Sequence, residues 1–216
     1  MSISNLEEIT CSCGETFEAE LISAISVSDN PELKEALISG EINIVCCPKC
    51  GQMFYAENFI LYHDCENELI AFVYPLSFQN QADQCRKKMQ REFARAVENF
   101  AESEKKKINY EPLLIFGIED LALLLKAEQE IEDEEAVLEH IARENSLNTL
   151  KISASLARKF GIPKVLPVVK TKDQPEADSV LAALKILVKC NPNLTNYLKL
   201  LDKLSQNKSI LDGINS

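Results

Sequence analysis

Cys47-Pro48-Lys49-Cys50-Gly51 is a short cysteine turn that ends in a glycine, and a similar turn, Cys11-Ser12-Cys13-Gly14, precedes it in the chain. Four thiolates around one tetrahedral ion are the composition of a closed structural zinc site. A glycine after the last cysteine allows the backbone to curl so that amide N–H groups point at sulfur. We therefore predict one structural zinc ion, with four ligands: Cys11, Cys13, Cys47 and Cys50.

Two alternatives to this ligand set remain open. The first turn has only one residue between its cysteines, so Cys46, which directly precedes Cys47, is a substitute ligand. Its place in a strand instead predicts a buried side chain that points away from the metal, because neighbouring strand residues face opposite sides. The other alternative is a redox dithiol formed by Cys47 and Cys50 without a metal.

The acidic charge of the chain is concentrated around these turns. Residues 1–75 contain 13 acidic side chains and two basic ones, Lys34 and Lys49, which accounts for the whole net charge of −11. Four zinc-bound thiolates would add further negative charge. Because nucleic-acid binding depends on Lys and Arg contacts to phosphates, this balance favours a protein partner or a homo-oligomer over nucleic acid.

The location of the protein follows from composition. The eight cysteines, four of them in metal-like spacing, are typical of a reducing compartment. No apolar run reaches the roughly 18 residues that span a bilayer, and the first residues do not resemble a signal peptide. We therefore expect a cytoplasmic protein without membrane contact.

The first 75 residues have the hydrophobic pattern of strands around one helix. Alternation of apolar and charged residues between Phe17 and Val27 predicts a strand. Asn30-Pro31-Glu32 begins a helix with a buried stripe of Leu33, Ala36 and Leu37, and Gly40 ends it in the left-handed conformation. Further strands are predicted over residues 42–45, 53–55, 59–62 and 69–74.

From about residue 79 the hydrophobic period changes from two to 3.6 residues. A long helix carries one apolar stripe, with basic residues on its other faces. The stripe includes Cys85, Met89, Phe93 and Phe100, and the basic face includes Arg86, Lys87, Arg91 and Arg95. RNA, an acidic partner and the acidic zinc domain of the same chain all fit this basic face, and the acidic balance of the chain favours internal or subunit charge pairing over nucleic acid.

The complete pattern predicts an α+β protein. Residues 1–75 form a zinc-ribbon-like domain with a small antiparallel sheet and one helix. Residues 76–216 form a mainly helical region with a break near 170–175, which either packs on the first domain or has a core of its own. The later helices are predicted over residues 117–129, 133–145, 152–160, 176–189 and 195–204. Folding of residues 1–75 is expected to depend on the zinc ion.

Several segments together resemble the CpXC domain, a family of bacteria and archaea. The resemblance covers roughly residues 8–125 and implies metal binding by the four cysteines, without implying a reaction. The segments that carry it, besides the two cysteine turns, are Ser26-Val27-Ser28-Asp29-Asn30-Pro31-Glu32-Leu33-Lys34, Ser39-Gly40-Glu41, Leu61-Tyr62-His63-Asp64 and Tyr110-Glu111-Pro112-Leu113-Leu114-Ile115-Phe116-Gly117.

His63 and Asp64, beside Cys65, are the one pair that suggests acid–base chemistry. A hairpin turn in which Asp64 accepts hydrogen bonds from backbone amides accounts for the same residues, and support of the zinc site is a further alternative. The sequence contains no nucleophile elbow, phosphate loop or HExxH motif. We expect a non-catalytic zinc-binding protein that supports a protein-interaction surface; nucleic-acid binding and thiol redox chemistry are the alternatives, and an enzymatic role stays open.

Overall fold

The computed structural model describes residues 2–98, 108, 110–169, 177–207 and 210–211. The chain divides into two compact units, Met1–Lys126 and Ala127–Ser216. Among the described residues, no helix is long and apolar enough to cross a membrane. The α+β class predicted from the sequence is confirmed, whereas the predicted break at 170–175 and Phe100 of the apolar stripe lie outside the described residues.

The first unit is built on a five-stranded sheet in the order β1-β2-β5-β6-β7. The elements in chain order are β1 (Ile3–Thr10), β2 (Thr16–Ser26), α1 (Glu32–Ile38), β3 (Ile44–Cys46), β4 (Met53–Tyr55), β5 (Ile60–Asp64), β6 (Leu69–Tyr74), a 3-10 turn (Leu76–Gln81), α2 (Ala82–Glu98), β7 (Leu113–Phe116) and α3 (Ile118–Glu144). Helix α3 contributes its residues up to Lys126 to this unit and the others to the second unit.

Both faces of the sheet are covered by helices. All six residues of β6 are buried, as expected for a strand with packing on both sides. On one face, Tyr62 and Val73 pack with Leu37 of α1 and with Leu121 and Leu125 of α3. On the other face, Phe72 and Tyr74 pack with Cys85, Met89 and Phe93 of α2. The predicted apolar stripe of α2 is thus confirmed as core up to Phe93, and its basic face, including Arg86 and Arg91, is exposed.

Two features of the first unit differ from the sequence-based expectation. The sheet is mixed, because β2 pairs with β5 and β6 pairs with β7 in parallel, while the other two pairings are antiparallel. A boundary was expected after residue 75, but β7 pairs with β6 along Ala71–Tyr74 and therefore belongs to the same unit as residues 1–75. The sequence did not reveal that β7 belongs to this sheet, because the amphipathic pattern of α2 suggested a separate helical region. In the structure, α2 lies in the crossover between the neighbouring parallel strands β6 and β7.

The hairpin of β3 and β4 is attached to β2 by two buried asparagines. Asn43 accepts a hydrogen bond from the backbone N–H of Ile22 (2.8 Å) and donates one to the carbonyl oxygen of the same residue (3.0 Å). Asn58 donates to that carbonyl as well (3.0 Å), and its own side-chain oxygen accepts from Asn43 (2.8 Å). Ile22 lies just before the segment of β2 that pairs with β5. The two asparagine side chains therefore satisfy the backbone N–H and carbonyl groups of Ile22, which have no partner in β5.

The second unit is a helical bundle around a two-stranded antiparallel sheet. Its elements after α3 are β8 (Asn148–Lys151), α4 (Ala154–Phe160), β9 (Val165–Val168), α5 (Ala177–Cys190) and α6 (Thr195–Gln206). Its core contains Leu138, Leu166, Leu184 and Tyr197, all of them fully buried. The predicted helices over 117–129 and 133–145 are one continuous helix, α3, because no glycine or proline interrupts residues 118–144.

Acidic residues of α3 hold the second unit together. Glu135 accepts hydrogen bonds from the backbone N–H groups of Lys164 (2.9 Å) and Val165 (3.2 Å), and Glu132 forms an ion pair with the side chain of Lys164 (2.6 Å). Glu128 pairs with Arg158. These contacts are charge pairs within the second unit.

The variant Glu135→Gln tests how much the buried negative charge of Glu135 lowers the stability of the second unit. Burial raises the pKa of Glu135 above its ordinary value, although Lys164 and the two amides oppose the shift. A carboxyl whose folded pKa is raised stabilises the fold at low pH, and this contribution is lost as the pH rises through the folded pKa. Because glutamine keeps an accepting oxygen and carries no charge, we expect the variant to gain stability relative to the wild type as the pH rises from about 4 towards neutral.

Glu135→Ala is the matched control for this prediction. It leaves two backbone amides without their acceptor, so we expect it to cost about 2 kcal/mol at neutral pH. Hydrogen exchange of the amides in β9 at several pH values measures both variants. An unchanged difference between the glutamine variant and the wild type from acidic to neutral pH would contradict the assignment.

Candidate metal centre

All four predicted ligands lie in two hairpin turns of the first unit. Cys11 and Cys13 lie in the turn between β1 and β2, and Cys47 and Cys50 in the turn between β3 and β4. In each turn a glycine follows the last cysteine with a positive φ: +85° at Gly14 and +71° at Gly51. Only glycine adopts this conformation without steric cost, which explains its place in both turns.

The backbone hydrogen bonds of the two turns correspond closely. In the first, the N–H of Gly14 donates to the carbonyl of Cys11 (2.9 Å), and the N–H of Cys11 donates to the carbonyl of Glu15 (2.8 Å). In the second, the N–H of Gly51 donates to the carbonyl of Cys47 (2.9 Å). Each turn thereby holds its cysteines with local bonds, so that the ligand geometry depends on few residues.

The four sulfur atoms form one compact group, in which all of them lie within 4.8 Å of one another. The Cys11 and Cys50 sulfurs are 3.7 Å apart, and so are those of Cys13 and Cys47. Zn–S bonds of about 2.3 Å in a tetrahedron place neighbouring sulfurs about 3.8 Å apart. The donor set therefore fits a metal ion that binds four thiolates, with two ligands from each turn.

The group is buried on one side only. Cys11 and Cys47 are 2% and 1% exposed, whereas Cys13 and Cys50 are open to solvent. A small apolar cluster of Leu21, Val45 and Ala56 is the nearest part of the core on these strands, with partly buried residues such as Phe17 and Phe54 at its edge. The cluster is too small to hold the β3–β4 hairpin firmly, since two-stranded hairpins are marginally stable by themselves.

Polar contacts link the two turns beside the sulfurs. The hydroxyl of Ser12 donates to the side-chain oxygen of Gln52 (2.9 Å), and Lys49 forms an exposed ion pair with Glu15 (3.1 Å). These contacts could not be predicted from the sequence, because their partners are far apart in the chain. They orient the turns toward each other, but an exposed ion pair adds little stability.

The thiols influence each other's protonation. A hydrogen bond from the backbone of Cys13, partly opposed by burial, lowers the pKa of the Cys11 thiol to about 7. At Cys50 the backbone of Gln52 lowers the pKa, but the neighbouring thiols, Cys47 first, and burial raise it to about 12. Four thiols at this distance cannot all ionise without a cation between them.

Cys46 is not part of the sulfur group. It lies in β3, as predicted, but it is exposed, whereas the sequence favoured a buried side chain. The reason is that Val45, its neighbour, occupies the inward-facing position of this short strand. The Cys46 thiol is 3.6 Å from the carbonyl oxygen of Gly51, as a weak donor.

Asp64 has the structural role in the β5–β6 hairpin that turn chemistry predicts. It is buried and accepts hydrogen bonds from the backbone N–H (3.1 Å) and the side-chain amide (3.1 Å) of Asn67, and Lys34 lies 3.5 Å from it. The His63 Nε2 is 3.3 Å from the hydroxyl oxygen of Tyr110 and 3.2 Å from the Cys65 sulfur.

The contact between His63 and Cys65 is not a proton relay. The Cys65 sulfur is 3.2 Å from Nε2 and 3.8 Å from Nδ1 of the same ring, so it does not lie along the direction of the Nε2 lone pair. Burial lowers the pKa of His63, although Asp64 opposes the shift. In the described part of the chain, neither residue belongs to a metal-ligating group.

Residues 9–143 match the family model described as CpXC protein. The chain belongs to the CpXC family. The match contains both cysteine turns and extends beyond the region of the resemblance, to the end of α3. No curated protein and no solved structure matches the chain.

Proposed function

We propose that this CpXC protein is a non-catalytic zinc-binding protein in which one structural zinc ion supports a protein-interaction surface. Its ligands are Cys11, Cys13, Cys47 and Cys50. The observation that carries the proposal is the pair of 3.7 Å sulfur–sulfur distances between the two turns. Four cysteines leave no open coordination position for a substrate, which is the arrangement of structural sites.

The geometry supports a metal site better than thiol redox chemistry by Cys47 and Cys50. Two sulfur–sulfur contacts of 3.7 Å run between the turns, Cys11 with Cys50 and Cys13 with Cys47. Oxidation would therefore cross-link the turns, and a disulfide requires a sulfur–sulfur distance of about 2.05 Å. Among the common divalent ions, thiolate ligands favour zinc. Iron–sulfur clusters are the other kind of metal centre that thiolate ligands favour.

A protein partner agrees with the charge of this unit. The surface around the turns is acidic, and an acidic surface repels phosphate. The exposed basic face of α2 is the strongest support for the competing proposal, nucleic-acid binding, but the whole chain has a net charge of −11. We therefore keep a protein partner or a second copy as the proposed partner.

Cobalt substitution of the purified protein tests the ligand set. Co²⁺ bound by four thiolates in a tetrahedron gives intense visible and thiolate charge-transfer absorption, and we expect this spectrum at one Co²⁺ per chain. Cys13→Ser or Cys50→Ser should weaken metal binding at least tenfold, because one thiolate is lost.

Cys46→Ser is the matched control, since it changes the only other cysteine in the β3–β4 hairpin. We expect it to keep the spectrum and the affinity of the wild type. A control variant that loses the metal as readily as Cys50→Ser would show that the ligand set is wrong.

A further inference from the structure

A cleft of about 200 Å³ opens on the surface of the first unit. It lies between the C-terminal end of α1, strand β4 and the first turn of α3, three elements that are distant in the sequence. Its walls are largely apolar and include Leu37, Ile42, Ile118 and Ala122. A cleft of this size accommodates one long side chain and not a larger ligand.

Two polar side chains in the cleft favour a positive charge. Tyr55 and Glu119 both line it, with Glu119 on its exposed rim. The Glu119 carboxylate folds back over Gly117, where its Oε2 atom is 3.2 Å from the position that a Cβ would take. Burial, followed by the charges of Glu119 and Glu57, raises the pKa of Tyr55 to about 12. The phenol therefore remains neutral and lies in a negative potential.

The described part of the chain supplies no cation for this carboxylate. Both basic side chains of residues 1–75 are already used elsewhere: Lys34 lies beside Asp64, and Lys49 pairs with Glu15. Among the described ion pairs of the first unit, none involves Glu119. A carboxylate at the mouth of an apolar cleft and without a cation of its own is suited to a cation that brings an aliphatic stem.

We propose that this cleft binds a lysine side chain of a protein partner. The four methylene groups of lysine would lie against the apolar walls, and the ammonium group would reach Glu119 and the Tyr55 hydroxyl oxygen. The proposal deepens the interaction surface of the proposed function, on which it rests, by naming the chemistry of the partner. It also agrees with the acidic charge of residues 1–75, which attracts a basic partner.

The metal centre positions one wall of the cleft. Tyr55 pairs with Ile44 across β3 and β4, the strands whose connecting turn carries Cys47 and Cys50. We therefore expect the cleft to lose its shape when the turn is released. This links the structural site to a binding surface without giving the metal a contact to the ligand.

The test is an NMR titration of the full chain with two small probes, N-acetyl-lysine methylamide and its uncharged analogue N-acetyl-norleucine methylamide. We expect the lysine probe to produce saturable shifts at Gly40, Ile42 and Tyr55, with a Kd on the order of millimolar. Glu119→Gln should weaken this binding at least fivefold. Tyr55→Phe, which removes only the hydroxyl, should weaken it by a smaller factor.

Asp120→Asn is the matched control, because it removes the same charge from the same turn of α3 but does not line the cleft. It should leave binding within twofold of the wild type. Equal binding of the two probes, equal weakening by Glu119→Gln and Asp120→Asn, or no saturable shift would each overturn the proposal. Zinc measured on the same samples separates the two proposals. A sample that contains one zinc ion per chain but does not bind the lysine probe contradicts the cleft proposal and not the proposed zinc site.

Discussion

Cys47→Ser is expected to release the β3–β4 hairpin and the β1–β2 turn while leaving the central sheet folded. Binding of a structural zinc ion contributes on the order of 10 kcal/mol, and this energy is available only while the ligands are held together. The apolar cluster beside the turns has three buried residues, Leu21, Val45 and Ala56, which is too little to replace it. The sheet, in contrast, has its own cores on both faces.

The sequence predicts that folding of all of residues 1–75 depends on zinc. From the structure we expect this dependence only for the β3–β4 hairpin and the β1–β2 turn. Amide hydrogen exchange measures the difference directly. We expect the amides of β3 and β4 to lose their protection in Cys47→Ser and in chelator-treated wild type, and those of β5 and β6 to keep most of theirs. Cys46→Ser is the control that should exchange like the wild type. Unchanged protection in β3 and β4 would contradict a structural role for the turn.

Asn43→Ala is expected to destabilise the first unit by about 3 kcal/mol, because it combines two losses. The side chain satisfies both backbone groups of Ile22 and one oxygen of Asn58, all of which would lose a partner. The backbone of Asn43 also has a positive φ of 55°, which asparagine tolerates better than alanine. Chemical denaturation measures the change in the free energy of unfolding.

Asn43→Gly separates the two contributions, since glycine tolerates the positive φ but makes no side-chain hydrogen bond. We expect it to be more stable than the alanine variant by about 1 kcal/mol and still less stable than the wild type. Asn58→Ala removes fewer hydrogen bonds and should cost less than either. A stability of Asn43→Ala within about 0.5 kcal/mol of the wild type would show that the asparagine bridge does not hold the hairpin to β2.

The grouping of Cys11, Cys13, Cys47 and Cys50, which could hold a metal ion, was predictable from the sequence because the geometry of each cysteine turn is local. Each turn consists of a few consecutive residues, and the spacing of cysteines and glycine determines where the sulfurs point. The strands β4 and β6 were predicted with the bounds that the structure has, because their apolar residues are bounded by turns. Gly40 ends α1 with a positive φ of 76°, also as predicted.

Other features depend on contacts that the sequence does not reveal. Strand β1 was missed because most of its side chains are exposed, so that it shows no clear alternation of apolar and polar residues. The parallel pairing of β7 with β6 depends on α2 as a crossover, and the helix pattern alone does not say what it connects. The cleft combines Leu37, Tyr55 and Glu119, which belong to three elements that are distant in the sequence. No sequence motif predicts such a combination.

The zinc content of the purified wild-type protein tests the central claim most directly. Native mass spectrometry, together with quantification of reactive thiols, measures the bound metal and the state of Cys11, Cys13, Cys47 and Cys50 in one preparation. We predict one zinc ion per chain, with these four thiols protected until a chelator is added. A chain without metal, with a disulfide between the two turns or with four freely reacting thiols, would contradict the proposed zinc site.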